Sequence, residues 1–250
     1  MIKPIVIVFA SATIIFSAEA QDPSIREFQK VAFKELKLPE KDGWEKAGTF
    51  IINVQQGALR NWVSGGEQNT LGVATLFNYN LNYKKRKNSW NNYFDIALGF
   101  QNATSFGQFR KIDDRIDITT KYGYELSKKW YTAMLVNFNT QALTGYNYTD
   151  TANNKISGFL TPGKVIISAG IDYRPDKSFS LFVSPITTRF LLKSDNDFYT
   201  ADKFGVPANR KSYTELGAFA TAKFAKAFTK WASYTSRLDL FSNYKRNPQN

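Results

Sequence analysis

The sequence contains neither cysteine nor histidine. Without cysteine the chain has no disulfides, so packing and backbone hydrogen bonds must supply its stability. Without histidine it lacks the usual general base, the partner of a serine nucleophile and the commonest metal ligand. These absences argue against an enzyme, and we expect no catalytic residue, no cofactor site and no metal site.

Long apolar runs are also missing beyond the N-terminus. The first residues have the features of a signal peptide: Lys3, an apolar stretch from Ile5 to Phe16, and the small-x-small cleavage site Ala18-Glu19-Ala20. That stretch is shorter than the roughly 20 apolar residues of a membrane helix. We therefore predict a signal peptide over residues 1–20, export of the chain, and no membrane-spanning helix.

Basic residues outnumber acidic ones, with 33 Lys and Arg against 21 Asp and Glu and a formal net charge of +12. Such an excess suits nucleic acid, lipid phosphate or other anions. Export makes nucleic acid the least favoured of these partners. We accordingly interpret Lys84-Lys85-Arg86-Lys87 as a solvated turn near anionic lipid headgroups rather than as a nucleic-acid patch.

The hydrophobic period changes along the chain. Residues 24–37 place Ile25, Phe28 and Ala32 on one side of an amphipathic helix. From Thr49 onward the period is two, as in strands with one wet face. We predict an N-terminal helix and linker over 21–48 and a β-domain over 49–250. Its nine strands are 50–60, 71–83, 90–100, 115–126, 130–141, 165–174, 179–191, 213–224 and 231–244.

The connections between these strands alternate in length. The long ones span 61–69, 102–114, 142–164 and 192–212, and the short ones span 84–89, 127–129, 175–178 and 225–230. Outer-membrane barrels have short periplasmic turns and longer extracellular loops. The sequence therefore predicts an all-β, antiparallel, up-and-down transmembrane β-barrel in a bacterial outer membrane, with the helix at 24–37 on the periplasmic side.

Large aromatic residues flank the short turns on the apolar parity of their strands. This placement is typical of an aromatic girdle at one membrane interface. Trp231, near the fourth turn, falls on the polar parity and does not fit. The predicted girdle consists of Tyr83, Trp90, Tyr124, Trp130, Tyr173, Phe179 and Phe224.

The opposite parity carries charged residues that are candidates for lining the lumen. They either line an aqueous pore or fill the interior with ion pairs, and the sequence leaves both alternatives open. Their signs nearly balance, so strong anion selectivity is not expected. The candidates are Asp95, Arg115, Asp117, Lys121, Glu125, Asp172, Arg174, Glu215, Lys223, Arg237 and Asp239.

Two local segments leave alternatives of their own. Asn61–Glu67, with two glycines and Trp62, is interpreted as a hairpin end rather than as a ligand contact. Asp113 and Asp114 are weak candidates for a loop calcium site, because adjacent strand residues point to opposite faces.

Several short motifs carry a family resemblance. They are Asn61-Trp62 with Gly65-Gly66, Asp113-Asp114-Arg115, Gln141 with Gly145-Tyr146, Ser184-Pro185-Ile186 and Asn247-Pro248-Gln249-Asn250. From about Trp44 to its end the chain resembles outer-membrane β-barrel proteins of Bacteroidota that are grouped as a domain of unknown function. The resemblance implies further strands beyond the C-terminus, hence a truncated chain, and it implies no activity.

These observations favour a non-catalytic outer-membrane barrel that acts as a passive small-solute channel or as an envelope scaffold. One alternative is a docking barrel whose extracellular loops bind a surface partner. A less favoured alternative is a soluble secreted β-barrel binding module. The expected partners are outer-membrane lipid, lipopolysaccharide and an envelope protein, and nucleic acid is not expected.

Overall fold

The computed structural model describes residues 42–58, 69–105, 107–148, 153–176, 178–227 and 233–245. The predicted signal peptide, the predicted helix at 24–37, the segment 61–67 and Trp231 lie outside these ranges. Within them, no helix has the length and apolarity required to cross a membrane.

The described ranges are built almost entirely from β-strands. Nine strands form one antiparallel sheet in the order β1-β2-β3-β4-β5-β8-β9-β10-β11, and β6 and β7 form a separate hairpin. The strands are β1 Gly43–Ala58, β2 Asn69–Lys85, β3 Asn88–Ala103, β4 Arg110–Ser127, β5 Trp130–Thr140, β6 Gly145–Tyr148, β7 Asn153–Ser157, β8 Gly163–Tyr173, β9 Phe179–Leu192, β10 Ser212–Ala227 and β11 Ser233–Asn243.

The all-β class and the nine-stranded antiparallel meander are confirmed. The structure differs from the prediction in where strands begin: β1 starts at Gly43 and β4 at Arg110. The β6–β7 hairpin lies inside the long connection 142–164, where no strand was predicted. Its residues are largely polar and exposed, so no apolar alternation marks it.

The nine described strands form an open sheet that is not closed into a barrel, whereas the sequence predicted nine strands of a barrel that further strands complete. Among these strands, β1 pairs only with β2, and β11 pairs only with β10. In an antiparallel meander of nine strands the first and last run in the same direction. These two edges therefore cannot join by an antiparallel ladder.

The sheet is inverted relative to a soluble β-protein. We call inner the face that bears Asp117 and Asn137, and outer the face that bears Trp90 and Met134. Asn137 on the inner face is 2% exposed, whereas Met134 on the outer face is 51% exposed. From β3 to β10 the polar parity is thus largely buried and the apolar parity faces outward, whereas β1 is exposed on both faces.

Strong curvature brings the inner face of distant strands together. Lys121 on β4 donates to Asp172 on β8 across the intervening β5, at 2.9 Å. The Lys121 ammonium also lies 5.1 Å from the ring centre of Phe182 on β9. Contacts over this many strands require the inner face to be concave.

Candidate functional site

The first part of the inner face is a polar network on β3, β4 and β5. Arg115 donates to Asp95 at 3.2 Å and lies 3.9 Å from Asp113. Asn137 donates to Asp117 at 2.6 Å and to Thr119 Oγ1 at 2.9 Å. Register explains the grouping, because Asp95 lies opposite Asp117, and Thr119 opposite Asn137. Neighbouring strands thus place charged and amide side chains at the same level of the sheet, where they form hydrogen bonds with one another.

A three-charge cluster lies nearer the short-turn end. Asp172 on β8 is deeply buried and accepts from both Lys121 and Arg174. Arg174 also lies over the ring of Tyr131, with its guanidinium carbon 5.6 Å from the ring centre. Glu125 lies half-buried on the same face, opposite Tyr131. One carboxylate therefore accepts hydrogen bonds from two cations in this part of the interior.

Another buried ion pair joins β9 to β10. Arg189 Nε donates to Glu215 Oε2 at 2.7 Å, and an Arg189 terminal nitrogen donates to the same oxygen. The two residues are register partners. For the last three candidates the structure describes the backbone only: Lys223 lies opposite Arg237, and Thr221 lies opposite Asp239.

The inner face also holds an apolar cluster that the sequence analysis did not assign. Phe182 and Phe219 have ring centres 6.4 Å apart, and Phe241 packs against the cluster. Ala133 and Leu135 on β5 and Ile166 on β8 complete it. The ion pairs and this cluster lie on the inner face of β4, β5, β8, β9 and β10.

Arg189 was missed because β9 changes parity along its length. The β8–β9 register shifts between Ala169 and Ile171, opposite the segment Ser184-Pro185-Ile186. On β9, even-numbered residues are buried before this bulge, whereas odd-numbered residues such as Arg189 are buried after it. A bulge inserts one extra residue and so exchanges the two faces. The proline within the strand was the available signal for it.

The predicted girdle residues gather at the short-turn end of the sheet. Trp130 and Tyr173 have ring centres 4.5 Å apart, and Phe179 lies opposite Phe224. Tyr83 lies opposite Trp90. Tyr124 is exposed on the outer face of β4.

Two further aromatic residues join this girdle. Trp44 has its ring 4.8 Å from that of Tyr83 and 6.3 Å from that of Trp90. It was missed because the predicted first strand began after it. Tyr234 packs 6.1 Å from Phe224 and provides an aromatic ring on β11 at the fourth short turn.

The motif residues at the long-loop end anchor loops to the sheet. Asp114 accepts from Lys111 and from the backbone N–H groups of Ala142 and Leu143. Gln141 donates to the carbonyls of residues 158 and 161 at 3.1 and 3.0 Å. Asp113 therefore lies near Arg115, and Asp114 anchors a loop. The described ranges hold no group of three or more His, Cys, Asp or Glu suited to a metal.

The connection between β9 and β10 is compact. Lys193 is fully buried, and its ammonium donates to the carbonyls of residues 199, 201, 206 and 207 at 2.5–3.5 Å. Lys155 on β7 pairs with Asp195 and, at 2.9 Å, with Asp197. The hydrogen bond from Lys155 lowers the pKa of Asp195, and the same bond raises the pKa of Lys155. Ion pairs thus join the β6–β7 hairpin to the connection between β9 and β10.

Comparison with known proteins gives one result. Residues 54–146 match a family model described as a protein of unknown function (DUF3078). The match confirms the predicted resemblance to a domain of unknown function. It covers β2 to β5 in full and includes Asp114 and Gln141. No curated protein and no solved structure matches the chain.

Proposed function

We propose that this chain is a non-catalytic β-barrel protein of a bacterial outer membrane, in which it acts as an envelope scaffold. The inversion of the sheet carries this proposal: the outer face presents exposed apolar side chains, and the inner face buries charges and amides. Contact with lipid tails costs an apolar outer face no free energy, whereas contact with water is unfavourable. A soluble binding module would bury the opposite parity.

The aromatic girdle supports the same environment. Trp44, Trp90 and Trp130 are exposed at one end of the sheet, on the outer face. Tryptophan is favoured at the membrane–water interface because its ring is apolar and its N–H is polar. A girdle at this end of the sheet supports an arrangement in which the short turns lie just outside the apolar layer.

The occupied inner face favours a scaffold over a channel. The Lys121–Asp172–Arg174 cluster, the Arg189–Glu215 pair and the Phe182 cluster lie where a pore would need water. Interiors of small barrels are filled by side chains in this way. A passive channel for small solutes is the second candidate, since β1 exposes Asn53 and Gln55 on the inner parity.

The long-loop end supports a docking role within the scaffold function. Apolar side chains are exposed there beside the β6–β7 hairpin, at Phe109, Ile112, Leu143 and Phe159. Exposed apolar groups on ordered loops fit a protein partner at the cell surface. Crosslinking in whole cells that recovered lipid alone would argue against this role.

The outer face provides the test of membrane residence. Met134 lies near the middle of β5 and points outward. In protein folded into lipid vesicles, Met134→Arg should lower the free energy of unfolding by about 2–4 kcal/mol, and Met134→Leu should leave it nearly unchanged. Equal stability of the two variants, or a mature protein that stays monomeric without detergent, would contradict the proposal.

Planar-bilayer recording separates scaffold from channel. We expect no discrete conductance steps from folded protein at high salt, because charged and aromatic side chains occupy the inner face. Heat-modifiable migration in detergent gels confirms that the recorded sample is folded. Reproducible steps from such a sample would replace the scaffold with the channel.

A further inference from the structure

The basic residues of the short turns form one surface, and we infer that it binds the headgroups of anionic phospholipids. We call this surface the short-turn rim; it consists of residues 84–87, at the end of β2 and in the turn to β3, and residues 128–129 between β4 and β5. All six side chains are Lys or Arg. The inference rests on the proposed membrane residence and names the lipid class that this end of the sheet selects.

Backbone hydrogen bonds hold the turns of the rim in a row. The Glu125 N–H donates to the Lys87 carbonyl at 2.8 Å, which ties the first turn to the end of β4. The Arg174 N–H donates to the Lys129 carbonyl at 2.8 Å, which ties the second turn to the end of β8. The Arg86 N–H donates to the Asp42 carboxylate at 3.1 Å. The six basic residues are therefore held at one end of the sheet and are not scattered over its surface.

The rim differs from the interior in how its charges are paired. On the inner face, Arg115, Lys121 and Arg189 each contact a carboxylate of the protein. Within the part of the chain that the structure describes, no rim side chain forms an ion pair. These interior cations each contact a carboxylate of the protein, whereas those of the rim remain available to an external anion.

The position of the rim identifies the anion as a lipid headgroup. Lys85 lies two residues beyond Tyr83 on the same face of β2, which is about 7 Å along the strand. Lys128 and Lys129 directly precede Trp130. The ammonium groups thus lie just outside the girdle, at the depth of headgroup phosphates. Clusters of four to eight Lys and Arg at this depth are typical of surfaces that select anionic lipids.

Selection of lipid is measurable from tryptophan fluorescence. Three of the five tryptophans, Trp44, Trp90 and Trp130, belong to the girdle beside the rim. The full chain is folded into mixed vesicles of phosphatidylcholine and phosphatidylglycerol in which one lipid or the other is brominated, and quenching gives the relative binding constant of the two lipids. At low salt we expect phosphatidylglycerol to be favoured about fivefold or more, since one interfacial cation contributes about that factor. The preference should fall in 0.5 M salt, to a degree set by a Debye length of about 4 Å.

A matched pair of variants locates the selecting charges. Lys128→Gln with Lys129→Gln removes two adjacent cations from the rim, and Arg210→Gln with Lys211→Gln removes two exposed adjacent cations from the long-loop end. We expect the rim variant to lose at least about half of the preference and the long-loop variant to keep it. Circular dichroism confirms that both variants fold.

The outcomes separate the inference from the function on which it rests. Quenching by neither lipid would refute membrane residence itself. Equal quenching by both lipids, or an equal loss of the phosphatidylglycerol preference in the two variants, would contradict lipid selection by the short-turn rim. Neither result would contradict membrane residence.

Discussion

The buried pair Arg189–Glu215 reports whether the interior is dry. The two side chains are 8% and 3% exposed and share a hydrogen bond of 2.7 Å. Removing one partner of a pair buried in this way costs about 3–5 kcal/mol, because the other charge stays buried without compensation. In a water-filled lumen the same change costs about 1 kcal/mol or less. A dry interior and a water-filled lumen therefore predict different losses in the free energy of unfolding.

We expect Glu215→Gln alone and Arg189→Met alone each to destabilise the protein by about 3 kcal/mol, or about 150-fold in the unfolding constant. The double variant Arg189→Met with Glu215→Leu should recover most of that loss, since an apolar pair of similar volume needs no compensation. Urea unfolding of vesicle-folded protein, followed by tryptophan fluorescence, measures all of these variants.

A more exposed pair on the same face is the control. Asp113 and Arg115 are 47% and 41% exposed and lie 3.9 Å apart. Asp113→Asn should cost no more than about 1 kcal/mol. If Glu215→Gln costs as little as Asp113→Asn, the interior between β9 and β10 is wet and the argument for a filled scaffold is refuted.

Three further predictions concern a close approach, a buried lysine and a titrating loop. Gly170→Ala should destabilise by about 1–3 kcal/mol, because its Cβ would lie 2.1 Å from a backbone oxygen of β9, whereas Gly72→Ala, with 3.8 Å to its nearest neighbour, should be tolerated in the same urea assay. Lys193→Met should make proteolysis within residues 199–211 about tenfold faster, since hydrogen bonds to a charged group contribute about 1.5–3 kcal/mol each; an unchanged rate would show that the ammonium does not hold the loop. The lowered pKa of Asp195 means that its contact with Lys155 contributes fully above the carboxyl's ordinary pKa of 3.8 and is lost as pH falls through the lowered value. Amide exchange in β7, corrected for its intrinsic rate, should rise over that acid range, and Asp195→Asn should abolish the change.

The sequence by itself determined the nine strands of the main sheet, their order and, apart from the bulged β9, their two parities. Alternation with a period of two is a local property of the chain, so Trp90, Met134 and Asp117 could be assigned to their faces without knowing their neighbours. Connection lengths and the aromatic residues beside short turns are local in the same sense. They fixed which residues lie at the short-turn end before any contact was known.

Only the tertiary structure decided which groups meet. Lys121 and Asp172 lie on strands separated by β5, and their contact depends on the curvature of the whole sheet. The bulge in β9 exchanges its faces and brings Arg189 inward to Glu215. Register, curvature and bulges arise from the pairing of distant segments, so they are not encoded in a window of one strand. The chain alone therefore indicated an inverted β-sheet, whereas its folding determined which charged groups pair on the inner face.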